Sequence, residues 1–148
     1  MITEILSQLY QRDLDKLKIE IGQYATEEQL WNVADGIANS GGNLALHIVG
    51  NLKHFIGAVL GKSGYVRDRN AEFVLKSVSQ ADILTAIDET SEVVTSTLAK
   101  LNADDLAAIY PIEVFGHPMT TEAFLIHLST HLNYHLGQIN YHRRLTGS

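Results

Sequence analysis

Residues 121–145 read TEAFLIHLSTHLNYHLGQINYHRRL and carry the clearest structural signal in the chain. Their apolar side chains recur at intervals of three and four, the pattern of an amphipathic α-helix. The members of this stripe are Phe124, Leu128, Leu132, Leu136 and Ile139. Thr120 or Thr121 is the expected N-cap, and Gly147 follows the expected end near Leu145. We therefore predict a long helix with one face in a core.

Three further helices are predicted upstream of this one. Residues 2–21 place apolar side chains three and four apart, as an amphipathic helix does. Residues 43–60 are apolar almost all the way round, so their helix should be central. A third helix is expected from a Ser79 cap to about Leu101. The sequence therefore predicts an all-α fold, a four-helix bundle.

The predicted connections differ in character. A polar linker holds Trp31 and the Asn-Ser-Gly-Gly run at residues 39–42, and residues 61–78 form a turn and irregular stretch. Both prolines fall within residues 111–118, where residues 111–115 alternate between apolar and polar. This alternation suggests a short extended segment or small hairpin before the last helix. We expect one domain over residues 1–148.

The composition limits the classes of partner. A chain of 148 residues can bury about 68–70% of its unfolded surface, so it needs no disulfide or structural metal to fold. Its net charge is −6 and its basic residues are scattered, which argues against nucleic acid and against anionic membranes. No apolar run approaches the roughly 20 residues of a membrane span, and the start lacks a signal sequence. We expect a soluble, cytoplasmic protein.

Cysteine is absent, whereas histidine occurs seven times. The lack of cysteine excludes disulfides, iron–sulfur clusters, thiolate zinc sites and a cysteine nucleophile. Thiol chemistry would therefore need a thiol from outside the chain. Imidazole is then the soft-to-borderline metal ligand that the chain offers.

Three histidines of the last helix, His127, His131 and His135, are spaced by four and share one face. Two imidazoles one turn apart can chelate one ion, although HLNYH lacks the glutamate base of a zinc protease. With about 100° per residue from His131, the apolar face centres near +80°, His135 falls near +40° and His127 near −40°. His131 and His135 should therefore face inward, with His127 at the boundary or in solvent.

The predicted second helix offers a third ligand. His47 and His54 are seven residues apart and lie on one stripe with Asn51 between them. Either histidine could reach into a cleft between helices, and the spacing alone does not choose between them.

Two segments resemble the signature regions of the DinB/YfiT-like superfamily. They are LHIVGNL at residues 46–52 and HLNYHLGQI at residues 131–139, and the match runs along the whole chain. The resemblance implies a four-helix bundle that holds a divalent metal with one histidine from the second helix and two from an H-x-x-x-H-x-G-Q motif on the last. Carried over to this chain, it implies that the ligands are His47, His131 and His135, and it leaves the role of His54 open.

The resemblance also implies an activity. Relatives include thiol-dependent transferases and isomerases that use bacillithiol, mycothiol or glutathione, which implies a small-molecule substrate with a thiol cosubstrate, and a homodimer. Three neutral imidazoles leave coordination positions open, as in a catalytic site. Zinc or nickel is the expected ion. The alternatives are a non-catalytic metal-binding or stress-associated bundle and a metal-free dimerisation module.

Further side chains are candidates for supporting roles. Asn51 and Gln138 could hydrogen-bond ligand histidines or a bound water. Arg67 and Arg69 could bind the carboxylates of a thiol cosubstrate, or they could lie in a solvated loop or subunit contact. Outside the ligands, the sequence offers no clear acid or base.

Overall fold

The computed structural model describes residues 1–147, and four long helices dominate them. Three short helices, α2, α4 and α6, lie in the connections. The helices are α1 (Ile2–Gly22), α2 (Glu27–Trp31), α3 (Gly41–Leu52, continued by a π-helical turn, Lys53–Ala58), α4 (Arg69–Val74), α5 (Gln80–Ala99), α6 (Ala103–Ala107) and α7 (Thr121–Thr146). The predicted all-α four-helix bundle is confirmed.

Side-chain caps set where the long helices begin. The hydroxyl of Ser79 accepts from the backbone N–H of Asp82, and that of Thr120 accepts from Ala123, as the sequence predicts. Ser40 caps α3, so this helix begins at Gly41 rather than at residue 43. The two glycines that were expected in the linker therefore form its first turn.

The core lies between the four long helices. Tyr10 of α1 is wholly buried, and its hydroxyl donates to the carbonyl oxygen of Leu125 on α7. Other wholly or almost wholly buried side chains come from all four helices: Leu14, Leu17, Ile48, Leu52, Ile83, Ile87, Leu128 and Leu132. Burial of these side chains is the main stabilising term of the bundle.

A half-buried ion pair also ties α1 to α7. Arg143 Nε donates to Glu20 Oε2 over 2.7 Å, and Asn140 donates to Glu20 Oε1 over 2.6 Å. Burial acts to raise the pKa of Glu20, but these hydrogen bonds and the charges of Arg143 and Arg144 lower it below its ordinary value. The carboxylate is therefore held in its charged form.

Two connections are more ordered than the sequence predicts. Trp31 ends α2 instead of lying in a linker, and its ring packs so closely on Gly42 that a Cβ there would lie 2.6 Å from it. Residues 61–78, expected to be irregular, contain α4 behind an Asp68 cap. Asn43 of α3 donates to the carbonyl oxygens of Glu72 and Leu75, which fixes α4 against α3.

The two ends of the segment before α7 pair with each other through backbone hydrogen bonds. Tyr110 N–H donates to the Met119 carbonyl and Thr121 N–H to the Ala108 carbonyl, each over 2.8 Å. They flank one antiparallel bridge between residues 109 and 120, and residues 1–147 contain no longer strand. The pairing therefore lies outside residues 111–115, which form bends rather than the predicted extended segment. No described helix is both long and apolar enough to cross a bilayer.

Candidate metal centre

Three imidazoles from two helices meet on one side of the bundle. His47 Nε2 of α3 lies 3.2 Å from His131 Nε2 of α7, and His135 Nε2 lies 3.1 Å from the same atom. The ligand atoms of the three side chains all lie within 4.8 Å of one another. Of the two histidines of the second predicted helix, His47 is the one that lies in this cluster.

The outer ring nitrogens of His47 and His135 face oxygen acceptors. His47 Nδ1 lies 3.0 Å from Glu72 Oε1, and His135 Nδ1 lies 2.7 Å from Gln138 Oε1. Each acceptor requires a proton on Nδ1, so in the neutral rings the Nε2 atoms carry lone pairs. These lone pairs point into the cluster, where a cation would satisfy them.

The spacing of the nitrogens matches a metal site. Zinc–nitrogen bonds of about 2.0–2.1 Å in tetrahedral geometry place neighbouring nitrogens about 3.3–3.4 Å apart. The observed separations of 3.1 and 3.2 Å are close to this value. Neutral imidazoles are also donors that suit divalent transition metals. The residues therefore fit a divalent ion.

The surroundings keep His131 and His135 unprotonated. Burial, and after it the charge that neighbouring imidazoles would carry, lowers the pKa of His131 to about 4. Burial likewise lowers the pKa of His135, against the opposing effect of its hydrogen bond to Gln138. Because metal ions bind neutral imidazole, these two rings are ready to coordinate at neutral pH.

A buried ion pair supports His47 from behind. Arg67 binds the Glu72 carboxylate with two hydrogen bonds, Nε to Oε2 at 2.8 Å and Nη2 to Oε1 at 2.9 Å. Burial acts to raise the pKa of Glu72, but the hydrogen bonds and charges of His47 and Arg67 lower it below its ordinary value. Glu72 is thus a carboxylate at neutral pH and accepts the His47 proton.

The sequence profile of a family described as "Protein of unknown function (DUF1572)" matches residues 5–147. The chain belongs to this DinB-like family. The crystal structure of a DinB-like protein from Bacillus cereus has the same fold, with a TM-score of 0.75 and 24% sequence identity. That match covers 97% of this chain and 92% of the other. No protein with a curated description matches this sequence.

Glu72 is not among the site residues that the sequence of this DinB-like chain predicts. Its carboxylate belongs to α4, in the stretch expected to be irregular, and it is 25 residues from His47 in sequence. The available signal was Asp68, an N-cap residue type that precedes RNAEFV. Recognising that cap would have placed Glu72 on a helix but not against His47.

The two arginine candidates differ. Arg67 is not in a solvated loop, because its side chain is only 10% exposed and is paired with Glu72. Arg69 is exposed, and its guanidinium lies 5.3 Å from the ring centre of Phe73, which in turn packs on His47 with 4.9 Å between ring centroids. No ion pair involves Arg69 within residues 1–147.

The amide candidates both lie beside ligands. Gln138 accepts from His135, as described above. Asn51, one turn after His47, is buried, and its Oδ1 has no hydrogen-bond partner in the described part of the chain. A buried acceptor without a partner fits a site that takes a ligand or an ordered water.

The remaining histidines lie outside the cluster. His54 is in the π-helical turn, about two helical turns or 10 Å along the axis from His47, and packs edge-on against Phe55. His127 is half-buried and packs against Phe115, 4.6 Å between ring centroids. His142 is buried between the Tyr24 hydroxyl and the Asn32 carbonyl and ties residue 32 to α7. These histidines serve packing and local hydrogen bonding.

Proposed function

We propose that this protein binds a divalent metal ion through His47, His131 and His135, and that it is a transferase acting on a low-molecular-weight thiol. The convergence of the three Nε2 atoms, two of them on rings whose outer proton is held by an acceptor, carries the proposal. A divalent ion with an open coordination position lowers the pKa of a bound thiol, so that a thiolate is available near neutral pH.

A cleft near the end of α7 offers space for a substrate, and none of the three histidines lines it. A cleft of about 500 Å³ lies between residues 34–39 and the end of α7, and it shares Gln138 with the site. Its wall includes Leu44, one turn before His47, and the exposed side chains of Tyr141 and Leu145. A mostly apolar cleft of this kind suits the body of an electrophilic substrate.

Arg69 is the candidate for recognising the thiol. Small cellular thiols of the bacillithiol and glutathione type carry carboxylates, which guanidinium groups bind with two hydrogen bonds. Arg67 is already engaged by Glu72, whereas Arg69 is exposed one aromatic ring away from His47. In the transfer, the thiol proton goes to solvent, the sulfur bonds to an electrophilic carbon, and the leaving group departs with its bonding electron pair.

Metal analysis is the first test. Protein purified without a metal-affinity column, after growth with added zinc or nickel, should contain about one ion per chain, and a His131→Ala variant should contain almost none. Protein that stays metal-free after dialysis against zinc, nickel and manganese would refute the metal site and the activity together.

A thiol-conjugation assay tests the activity. Metal-loaded protein should conjugate bacillithiol or glutathione to an electrophile, and Arg69→Gln should raise the KM for the thiol about 10-fold, the effect of one lost charge-assisted hydrogen bond. Arg144→Gln, a substitution of an exposed arginine in the last turn of α7, is the control and should leave KM unchanged. Equal KM values for both variants would contradict the role of Arg69.

A non-catalytic metal-binding protein is the second candidate, and one observation favours it. Within residues 1–147, the carboxylate that touches the cluster is Glu72, which is buried and fully engaged, so it cannot act as a free base. Metal-loaded protein that remains inactive with several thiols and electrophiles would support this candidate. The homodimer stays a prediction, which the mass measured by light scattering tests.

A further inference from the structure

The carboxylate of the buried ion pair behind His47 has hydrogen-bond partners for both of its oxygens. Glu72 is 6% exposed, and both of its carboxylate oxygens are used: Arg67 binds both, and His47 Nδ1 lies 3.0 Å from Oε1. A buried carboxylate without partners would be strongly unfavourable, so Arg67 makes its presence next to the ligands possible.

The surface of α3 is shaped to receive this carboxylate. Gly50 lies one turn after His47, and a Cβ at this position would lie 1.9 Å from Glu72 Oε2 and 2.6 Å from its Cδ. Glycine in the middle of a helix is unfavourable in itself, because its backbone loses more freedom on folding than that of alanine. Its presence is explained by the carboxylate, which occupies the space of the missing side chain.

The backbone of Glu72 is fixed to the same helix as His47. Asn43, one turn before His47, donates to the carbonyl oxygen of Glu72 over 2.9 Å and to that of Leu75 over 2.8 Å. Its own Oδ1 accepts from Lys76 over 2.6 Å. The carboxylate and the imidazole are therefore held by residues of α3 on either side of the ligand.

This arrangement acts on the nitrogen that faces the cluster. Donation from Nδ1 to a carboxylate fixes the tautomer and the ring orientation, and it makes the Nε2 lone pair a stronger donor. His135 has only a neutral amide, Gln138, in the equivalent position. The two rings are thus supported unequally, and His47 has the charged partner.

We propose that Glu72, held by Arg67, is a positioning residue that orients His47 and sets the metal affinity of the three-histidine site. The inference rests on the proposed metal site. It gives residues 67–72 a function in metal affinity, beyond stabilising the local fold of this segment. Glu72 acts through His47 and does not itself contact the ion.

The test compares metal affinity with stability in three variants. Glu72→Ala removes the acceptor, and Glu72→Gln keeps an oxygen acceptor of the same size without the charge. Glu20→Gln removes the charge of a comparable arginine-paired carboxylate that bonds to none of the three histidines. The Kd for zinc is measured by competition with a chromophoric chelator, cobalt absorption spectra report the ligand field, and Tm is measured without metal.

We expect Glu72→Ala to raise the Kd for zinc about 10- to 100-fold and to alter the cobalt spectrum, with Glu72→Gln in between. Glu20→Gln should lower Tm and leave the Kd unchanged. If both Glu72 variants lower Tm but keep the wild-type Kd and spectrum, the pair only holds the loop and the inference is wrong. If the wild-type protein binds no zinc, the proposed function fails as well, and so the two failures are distinguishable.

Discussion

Gly50→Ala tests whether the space above Gly50 holds the Glu72 carboxylate in place, and it changes no ligand, acid or base. Cβ atoms essentially never approach other atoms closer than 3.0 Å, and here the new Cβ would start 1.9 Å from Glu72 Oε2. The carboxylate therefore has to move by about 1 Å or more. Its hydrogen bonds to His47 and Arg67 are 2.8–3.0 Å long, and a shift of this size would stretch them beyond hydrogen-bond distance.

The size of the effect follows from the bonds that are lost. Loss of the hydrogen-bond partner behind a metal-binding histidine typically weakens metal binding about 10- to 100-fold, which is the expected change in the Kd for zinc. Overpacking opposes folding by about 1–3 kcal/mol, whereas the helix preference of alanine over glycine favours it by about 0.5–1 kcal/mol. We expect a net loss, and about 2–4 °C in Tm for each kcal/mol in a domain of this size.

Gly137→Ala is the matched control. Gly137 lies in the middle of α7 between His135 and Gln138, and a Cβ there would meet nothing within 4 Å. This variant should gain about 0.5–1 kcal/mol of stability and keep the wild-type Kd. Chelator competition and thermal unfolding of the two alanine variants give the comparison. A wild-type Kd for Gly50→Ala would refute the reasoning, because the carboxylate would then have moved without consequence for His47.

Three more outcomes are expected. His135→Ala should abolish zinc binding in equilibrium dialysis, whereas His127→Ala should leave the stoichiometry near one, and equal losses would contradict the cluster. Zinc at 100 times its Kd should stabilise the wild-type protein by about 2.7 kcal/mol, visible as a higher Tm than with chelator, and an unchanged Tm would argue against binding to the folded state. The lowered pKa of Glu20 stabilises the fold above its unfolded value of about 4.3, and this contribution disappears as the pH falls through the folded pKa. The Tm difference between wild type and Glu20→Gln should therefore be largest near pH 7 and shrink below about pH 4, and a constant difference would show that charge is not the cause.

Local sequence patterns contain most of the information about the long helices and about two ligands. The stripe of α7 predicts its length, the Thr120 cap predicts its start, and the spacing of His131 and His135 places both imidazoles on one face. These features depend on residues three to four positions apart, which a helix brings together whatever it packs against.

The choice between His47 and His54 depends on packing between helices. Both lie on one stripe of the same predicted helix. Which of them meets His131 and His135 therefore depends only on where along this helix α7 packs. The contact is made in the middle of α3, where His47 lies, and His54 is about 10 Å further along. The resemblance to the DinB/YfiT-like superfamily supplied this information, whereas the periodicity did not contain it.

Local sequence patterns could not predict the position of Glu72 beside His47, for a different reason. A helix of six residues is not stable alone, because forming its first turn fixes several residues for a single hydrogen bond. Here α4 is held by the side chain of Asn43, by the ion pair with Arg67 and by the space above Gly50. Each of these contacts except the ion pair joins residues more than twenty positions apart, so no window of the sequence shows them together.

The charges around the cluster define what the site can do. Its three imidazoles would bind a metal ion in their neutral form, and the negative charge of Glu72 is cancelled by Arg67 in a buried pair. The ligand set therefore leaves the charge of a divalent ion uncompensated, in contrast to sites that include a carboxylate ligand. Uncompensated charge favours an anion at the open position and lowers the pKa of a bound thiol most strongly. The chain has no cysteine, and within residues 1–147 the carboxylate against the cluster, Glu72, is engaged by Arg67. The proposed activity would therefore take its thiol from solution.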